Sequence, residues 1–273
     1  AIKLARKHTG KHKMITFLHS FHGRTFAAMS ATGQEKVHAG FGPIVEKFEY
    51  LPFNDVAALQ AAADEETAAI MLEVVQGEGG VNPVTAEFAE AIQAICDDKG
   101  ILLIVDEVQT GIARTGTRYA WEQTALKPDI VSLAKGLGGG FPIGAMLATE
   151  ALFDSFGPGT HGTTFGGNPM ATHIAQTVID TVFDQAFLAD VETKSIYAKQ
   201  QLAKALPNLQ VRGMGLLLGI ESPLPVAEVI QAAEEKGLLL VGAGETTVRL
   251  LPPLTVSNEE IDAAVAILKE ILG

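Results

Sequence analysis

The stretch ILLIVDEVQTG, Ile101 to Gly111, constrains the fold of this chain more than any other. Ile101 to Val105 is an unbroken apolar run, and it ends on two carboxylates, Asp106 and Glu107. A continuous run, rather than an alternating one, is how a strand reads when both of its faces are covered, as in a parallel sheet between helices. Acids at the end of such a strand fall where open α/β sheets bind ligands, outside the carboxyl ends of the strands. A lone aspartate there also reads as a helix cap or a surface acid, so this run alone leaves the question open.

The other segments alternate in the manner of an α/β fold. KMITFLH, TAAIMLEVV and DIVSLAK are strand-like, and NDVAALQAAAD reads as a helix capped by Asn54. TAEFAEAIQAICDDKG reads as a helix with Thr85 as its cap and Gly100 as its stop. A long helical pattern covers 168–183, and beyond it the texture changes. LQVRGMGLLLGIES, a helix near Ala227 to Lys236, GLLLVGAG, TVRLLPPL and a final helix with a Ser257–Glu260 capping box follow. The expected architecture is α/β: a mostly parallel central sheet with helices on both faces over residues 1–185, then a smaller C-terminal α+β domain over 186–273. AIKLARKH reads as the middle of an amphipathic helix without a cap, so an N-terminal truncation is expected.

Acids outnumber bases 32 to 20, a net charge of −12 that argues against a nucleic-acid partner. No apolar run approaches the length needed to span a bilayer, so a soluble protein with no membrane partner is expected. The single cysteine, Cys96, excludes an internal disulfide and fits a cytoplasmic location. GLGGG lacks the Lys-Ser/Thr of a P-loop, and GMGLLLG has the wrong spacing for a dinucleotide fingerprint and reads as a tightly packed strand. His8 and His12, and His19 and His22, have no Cys or carboxylate cluster beside them. No metal site is expected, and these histidines read as structural or surface residues.

A second apolar segment also ends on a charge. DIVSLAKGLGGGFPIGA runs into Lys135, flanked by Ala134 and Gly136, with further glycines that let a ligand approach the backbone closely. An acid and an amine at neighbouring strand ends suit pyridoxal phosphate, which needs a lysine for covalent attachment and an acid to keep its ring nitrogen protonated.

SFHGRT, VVQGEGGV, IVDEVQTGIARTG, SLAKGLGGGFPIGA, HGTTFGGNP and VRLLPPL follow one another in this chain. In content and order they resemble the class III, ornithine-type aminotransferases of the fold-type I pyridoxal phosphate enzymes, over essentially the whole length. The resemblance implies that Lys135 holds the cofactor aldehyde and then moves the substrate proton, while Asp106 pairs with the ring nitrogen. It implies Phe21 and Val108 on the two ring faces, Gln109 at the phenolic oxygen and Glu107 among the cofactor-binding residues. Thr164 is implied to reach the phosphate of the neighbouring subunit in a homodimer with shared sites.

For substrate, the resemblance implies Arg24 at the carboxylate of acetylornithine and Arg249 at the α-carboxylate of glutamate or 2-oxoglutarate. Glu78 matches the acid that pairs with that arginine between half-reactions, and Thr163 a substrate contact from the adjacent subunit. The implied reaction is transamination of N2-acetyl-L-ornithine with 2-oxoglutarate, as in arginine biosynthesis. Ornithine or 4-aminobutyrate as amino donor, a glutamate-semialdehyde aminomutase, and an inactive fragment serving only as a dimerisation or binding module are the alternatives. Plainer readings also stand: Phe21 as core, Arg24 as a surface ion-pair member, Glu78 as a solvated loop acid. Family members carry, ahead of the point where these residues start, a turn whose amides cup the phosphate. Without it, weak cofactor binding and poor turnover are expected.

Overall fold

The structure, a computed structural model, describes residues 1–273. Its strands in chain order are β1 (Lys13–Phe17), β2 (Phe48–Leu51), β3 (Thr67–Leu72), the short β4 (Val75–Gln76) and β5 (Asn82–Pro83), β6 (Leu102–Asp106), β7 (Ile130–Leu133) and β8 (Ala145–Ala148). β9 (Val211–Met214), β10 (Leu217–Glu221), β11 (Val241–Ala243) and β12 (Thr247–Leu250) follow. Two compact units contain them: 1–74, 84–109 and 121–181 form the first, and 75–83, 110–120 and 182–273 the second. The change of texture near residue 185 carries no trace of the two earlier excursions, because membership of a unit depends on contacts distant in sequence.

In the first unit the sheet runs β2-β1-β3-β6-β7-β8. Its pairings are parallel except for β7 with β8. The chain steps from β1 outward to β2, then lays β3 on the other side of β1. The order therefore reverses at β1, and ligands of α/β sheets bind beside such switch points. β3 is buried at every position and β6 at all but its first, which explains their unbroken apolar runs. Helix Ile2–Thr9 contributes Leu4 and Ala5 to a core shared with Met14, Ala69, Ile104 and Ile130. Elsewhere Phe88, from helix Ala86–Lys99, meets Phe17 edge-on at 5.4 Å.

That helix has the termini its sequence announces. Thr85 Oγ1 accepts the Phe88 N–H, and Gly100 closes the end at φ 61°. Asn54, by contrast, is not the cap of the helix that follows it. Asp55 takes that role by accepting the Ala58 N–H, while Asn54 adopts φ 65° and its Oδ1 accepts the Thr85 N–H. A short amide side chain tolerates this left-handed backbone and ties two helix starts together. TAAIMLEVV also divides: β3 stops at Leu72, and Val75–Gln76 pairs antiparallel with Asn82–Pro83 instead of extending the sheet.

The second unit holds the antiparallel sheet β11-β12-β10-β9. Leu218, Ile220 and Val248 pack there with Ala198, Leu202, Val229, Ile261 and Leu268. GMGLLLG is a hairpin between β9 and β10, not one strand. Gly215 makes the turn at φ 56°, where an added Cβ would lie 2.4 Å from Thr115 Cα. Half-buried Arg114 donates from Nη1 to the carbonyls of Leu216 and Pro252 at 3.1 and 2.6 Å. Burial pulls its pKa down to about 10, so the guanidinium keeps its charge at neutral pH. The last helix, Asn258–Leu272, has both arms of the Ser257–Glu260 capping box. No helix is long and apolar enough to cross a membrane.

Candidate active site

The site of the first unit is built at the carboxyl ends of β1, β3, β6 and β7. Phe21, Asp106, Val108, Gln109 and Lys135 line one cleft there. The loop after β1 is held by a close backbone approach: His19 N–H donates to Gly33 O at 2.8 Å, and Gly33 N–H to Ser20 Oγ at 3.0 Å. Only glycine fits at position 33, since a Cβ would sit 2.1 Å from the Phe17 carbonyl oxygen.

Asp106 is 5% exposed. Its Oδ1 accepts the Val108 N–H and the Ser132 hydroxyl, each at 3.1 Å, and its Oδ2 lies 2.8 Å from His22 Nδ1. Ser132 reaches it because β6 and β7 place the two residues opposite each other in register. An ionised carboxylate has about four lone-pair sites, so capacity for roughly one more donor remains. The His22 imidazole is fully buried. Burial opposes its charging and is the largest single influence, yet the Asp106 hydrogen bond and charge, with the charge of Glu73, outweigh it and raise the pKa above 6.5. Glu73 is itself buried, and its Oε2 accepts the Phe21 N–H at 3.0 Å.

Lys135 follows β7 on an exposed turn and has φ 42°, a left-handed backbone that costs energy in any residue but glycine. The turn is held by Leu137 N–H to Ala134 O at 2.9 Å and Gly139 N–H to Gly136 O at 3.1 Å. Strain kept by the surrounding structure is a feature of functional positions, and here it sets the lysine at the cleft.

The remaining candidates lie elsewhere. Glu107 is 1% exposed, is not part of the cleft lining, and accepts the Trp121 N–H at 2.9 Å. It stands one residue beyond the end of β6. Arg24 is exposed, with its guanidinium carbon 5.4 Å from the centre of the Phe21 ring. Thr163 and Thr164 lie on an exposed loop and do not line this cleft. In the second unit Arg249 Nη1 pairs with Glu78 Oε1 at 2.8 Å, so Glu78 is not merely solvated.

Sequence reasoning missed His22, Glu73 and Ser132. His22 is no surface histidine: it lines the cleft and touches Asp106. Its one signal was its place inside SFHGRT, next to Phe21. Glu73 was marked only as an acid interrupting TAAIMLEVV, and Ser132 by nothing except the register of its strand.

A parallel sheet that brings a strained lysine and a buried, multiply hydrogen-bonded aspartate to one cleft is an arrangement for amine chemistry on a carbonyl cofactor. The chain belongs to the class-III aminotransferase family, matching it over residues 1–272. It is 52% identical over 277 residues to the acetylornithine aminotransferase of Bacillus subtilis (strain 168), covering 100% of this chain and 72% of that protein. The ornithine aminotransferase of Toxoplasma gondii ME49 has a similar structure, with TM-score 0.92 and 32% identity over 98% of this chain and 68% of that one. N-acetylornithine aminotransferase from Stenotrophomonas maltophilia K279a follows at TM-score 0.81 and 33% identity, covering 99% and 70%.

Enzymes of this family work with pyridoxal phosphate. The donor set fits the ring of that group. Spare acceptor capacity on Asp106, the Lys135 amine, the Gln109 amide and two apolar walls from Phe21 and Val108 are all on one cleft.

Proposed function

We propose that this aminotransferase exchanges the amino group of N2-acetyl-L-ornithine with 2-oxoglutarate, giving N-acetyl-L-glutamate 5-semialdehyde and L-glutamate, a step of arginine biosynthesis. The observation that carries the reading is the meeting of Asp106 and Lys135 at one cleft, in a chain that shares 52% identity with an acetylornithine aminotransferase.

Pyridoxal phosphate, when bound, supplies a protonated ring that draws electrons from the substrate carbon bearing the amine. In this reading Asp106 accepts the ring N–H through its remaining lone pair. Phe21 and Val108 would wall the ring and Gln109 would donate to its phenolic oxygen, while Glu107, next in sequence to Asp106, accepts the Trp121 N–H. Lys135 Nζ would hold the cofactor aldehyde, and as a free amine it would take and return the proton at the reacting carbon. Arg24 receives the carboxylate of the acetylated donor. Arg249 takes the α-carboxylate of glutamate or 2-oxoglutarate in its planar fork, and Glu78 pairs with it when that carboxylate is elsewhere.

The working form in this reading is a cytoplasmic homodimer in which Thr163 and Thr164 complete the neighbouring subunit's site. Supporting it, those threonines are exposed and away from their own cleft, and Phe153, Phe165 and Met170 of the same region are large, apolar and exposed, Phe165 at 79%. A single buried cysteine is in keeping with a reducing compartment.

Borohydride reduction in the presence of pyridoxal phosphate, followed by peptide mapping, tests the site. A pyridoxyl group on Lys135 is expected; its absence, or attachment at another lysine, overturns the reading. Turnover of acetylornithine, ornithine and 4-aminobutyrate then tests the donor. Faster turnover of acetylornithine is expected, and faster turnover of ornithine would replace it with the activity named for the Toxoplasma relative.

A further inference from the structure

We propose that Arg212 is a positioning residue for the Glu78–Arg249 pair: by holding the Gly80 carbonyl it fixes the loop backbone, so that Glu78 exchanges with a substrate carboxylate by moving its side chain alone. The proposal rests on the reading of Glu78 and Arg249 given above, and deepens it.

Residues 77–81, GEGGV, join β4 to β5, and three of the five are glycine. Glycine has more backbone freedom than any other residue, so such a loop left to itself samples many conformations. Here it is held at every position. Gly77 O accepts from Arg249 Nη1 at 2.7 Å, and Glu78 O accepts the Gly244 N–H at 2.8 Å. Gly79 O accepts from Asn82 Nδ2 at 2.9 Å, and Gly80 O accepts from Arg212 Nε at 2.8 Å. Val81 is fully buried with Val75, Leu217 and Ala243, at φ 54°. A β-branched residue with that backbone is strained, and it stays there only because its surroundings hold it firmly.

The sheet of the second unit explains the hold. Register places Arg212 on β9, Gly219 on β10 and Arg249 on β12 directly opposite one another. Residues so paired project from one face, which sets the two arginines roughly 10 Å apart at the backbone, two strand spacings. Gly219 leaves a gap between them, and Val81 fills it: a Cβ at position 219 would lie 2.8 Å from Val81 Cβ. Arg212 then takes the loop at residue 80, and Arg249 takes it at residues 77 and 78.

Arg212 is not placed as a second receptor for substrate. Its Nη1 meets Glu221 Oε2 at 2.7 Å, and its Nη2 donates to the buried Thr247 Oγ1 at 2.6 Å. With Nε on Gly80, each guanidinium nitrogen has a partner in the chain, and an incoming carboxylate would have to displace Glu221. Thr247 lies two residues before Arg249 on β12, hence on the same face, so the clamp and the pair share one strand. Glu78 differs, because its side chain is 36% exposed and can leave Arg249 while its backbone stays still. Such a rotation is faster than a loop rearrangement and orders fewer groups when it reverses. Without Arg212 the strained Val81 relaxes, the loop shifts, and Glu78 no longer returns to Arg249 while the amino donor is bound.

The test uses the pyridoxal phosphate-loaded enzyme as wild type, Arg212→Gln, Arg212→Lys, Glu78→Gln, and Arg212→Gln combined with Glu78→Gln. Lysine keeps the charge but reaches fewer of the three acceptors, and it carries the test, alone and with Glu78→Gln, should the glutamine variant unfold. The kinetic readout is the ratio of kcat/KM for 2-oxoglutarate to kcat/KM for the amino donor, measured in separate half-reactions. Arg212→Gln is expected to raise it about threefold to tenfold, as Glu78→Gln does, and Arg212→Lys to raise it less. In the Glu78→Gln background, Arg212→Gln should change it by less than about 1.5-fold, because the arginine acts through Glu78. The second readout needs no turnover. Hydrogen exchange of the Gly244 amide, which donates to the Glu78 carbonyl, should quicken about tenfold in Arg212→Gln while the β10 amides keep their protection. Equal losses in both half-reactions, effects that multiply in the double variant, or an unchanged Gly244 amide would overturn the proposal. A Glu78→Gln ratio equal to wild type would overturn the reading of Glu78 and the proposal with it, while a labelled Lys135 leaves the aminotransferase reading standing.

Discussion

Nη1 of Arg249 stands 2.8 Å from Oε1 of Glu78 and 2.7 Å from the carbonyl oxygen of Gly77. The arginine is 5% exposed, while the glutamate side chain is 36% exposed and so is not committed to a buried pair. Removing Glu78 therefore leaves the guanidinium partly satisfied by the backbone. Glu78→Gln is expected to change fold stability by less than about 1 kcal/mol in urea unfolding. Arg249→Lys keeps the charge and loses the fork, and should raise KM for 2-oxoglutarate about tenfold or more, with KM for the amino donor less affected. Equal effects on both substrates would count against a dicarboxylate role for Arg249.

The His22–Asp106 contact makes stability depend on pH in a definite direction. The folded pKa of His22 lies above its unfolded value of 6.5, because Asp106 and Glu73 overcome the burial that opposes charging. The contribution is complete below the unfolded value and is lost as pH rises through the folded one. Urea unfolding over roughly pH 6 to 9 should show wild type losing stability relative to His22→Asn as pH increases. A constant difference between the two would mean that the histidine does not titrate.

Cys96 is expected to be inert. Burial first, then the negative charges of Asp129 and Asp97, push its thiol up to about 12. At mildly alkaline pH its thiolate fraction is smaller than that of a free cysteine by on the order of a thousandfold. Native protein should react with an aromatic disulfide reagent at least about a hundredfold more slowly than protein in denaturant. Comparable rates would show that this helix opens readily.

Gly33→Ala tests how the cleft is held. Its Cβ would meet the Phe17 carbonyl oxygen at 2.1 Å and disrupt the bridge between Leu18 and Gly33. The loop carrying Phe21 and His22 must move in response. Weaker pyridoxal phosphate binding is expected together with a destabilisation of about 1–3 kcal/mol. Unchanged cofactor affinity would show that this loop is positioned from elsewhere.

Much of the fold was legible locally. The apolar runs at 68–72 and 101–105 announced strands covered on both faces, because burial on both sides removes any reason to alternate. Thr85, Gly100 and the Ser257–Glu260 box marked helix ends, because a cap is satisfied within about four residues of itself. Asn54 misled for the same local reason, as two adjacent residues could each have capped, and the contact that decided came from Thr85.

The cleft was legible where its members belong to strand ends with a motif around them: Asp106, Val108, Gln109 and Lys135, with Phe21 beside them. Glu107, the residue after Asp106 in sequence, does not line the cleft and accepts the Trp121 N–H instead. By itself the sequence determined the alternation of buried strands and helices and the charged groups at their ends, since hydrophobic period and chain order are local properties. Only the tertiary structure decided that His22, Glu73 and Ser132 surround Asp106, because strand register and loop closure bring together residues up to 84 positions apart in the chain. Hydrogen bonds form between neighbours in space, and those neighbours were not written side by side.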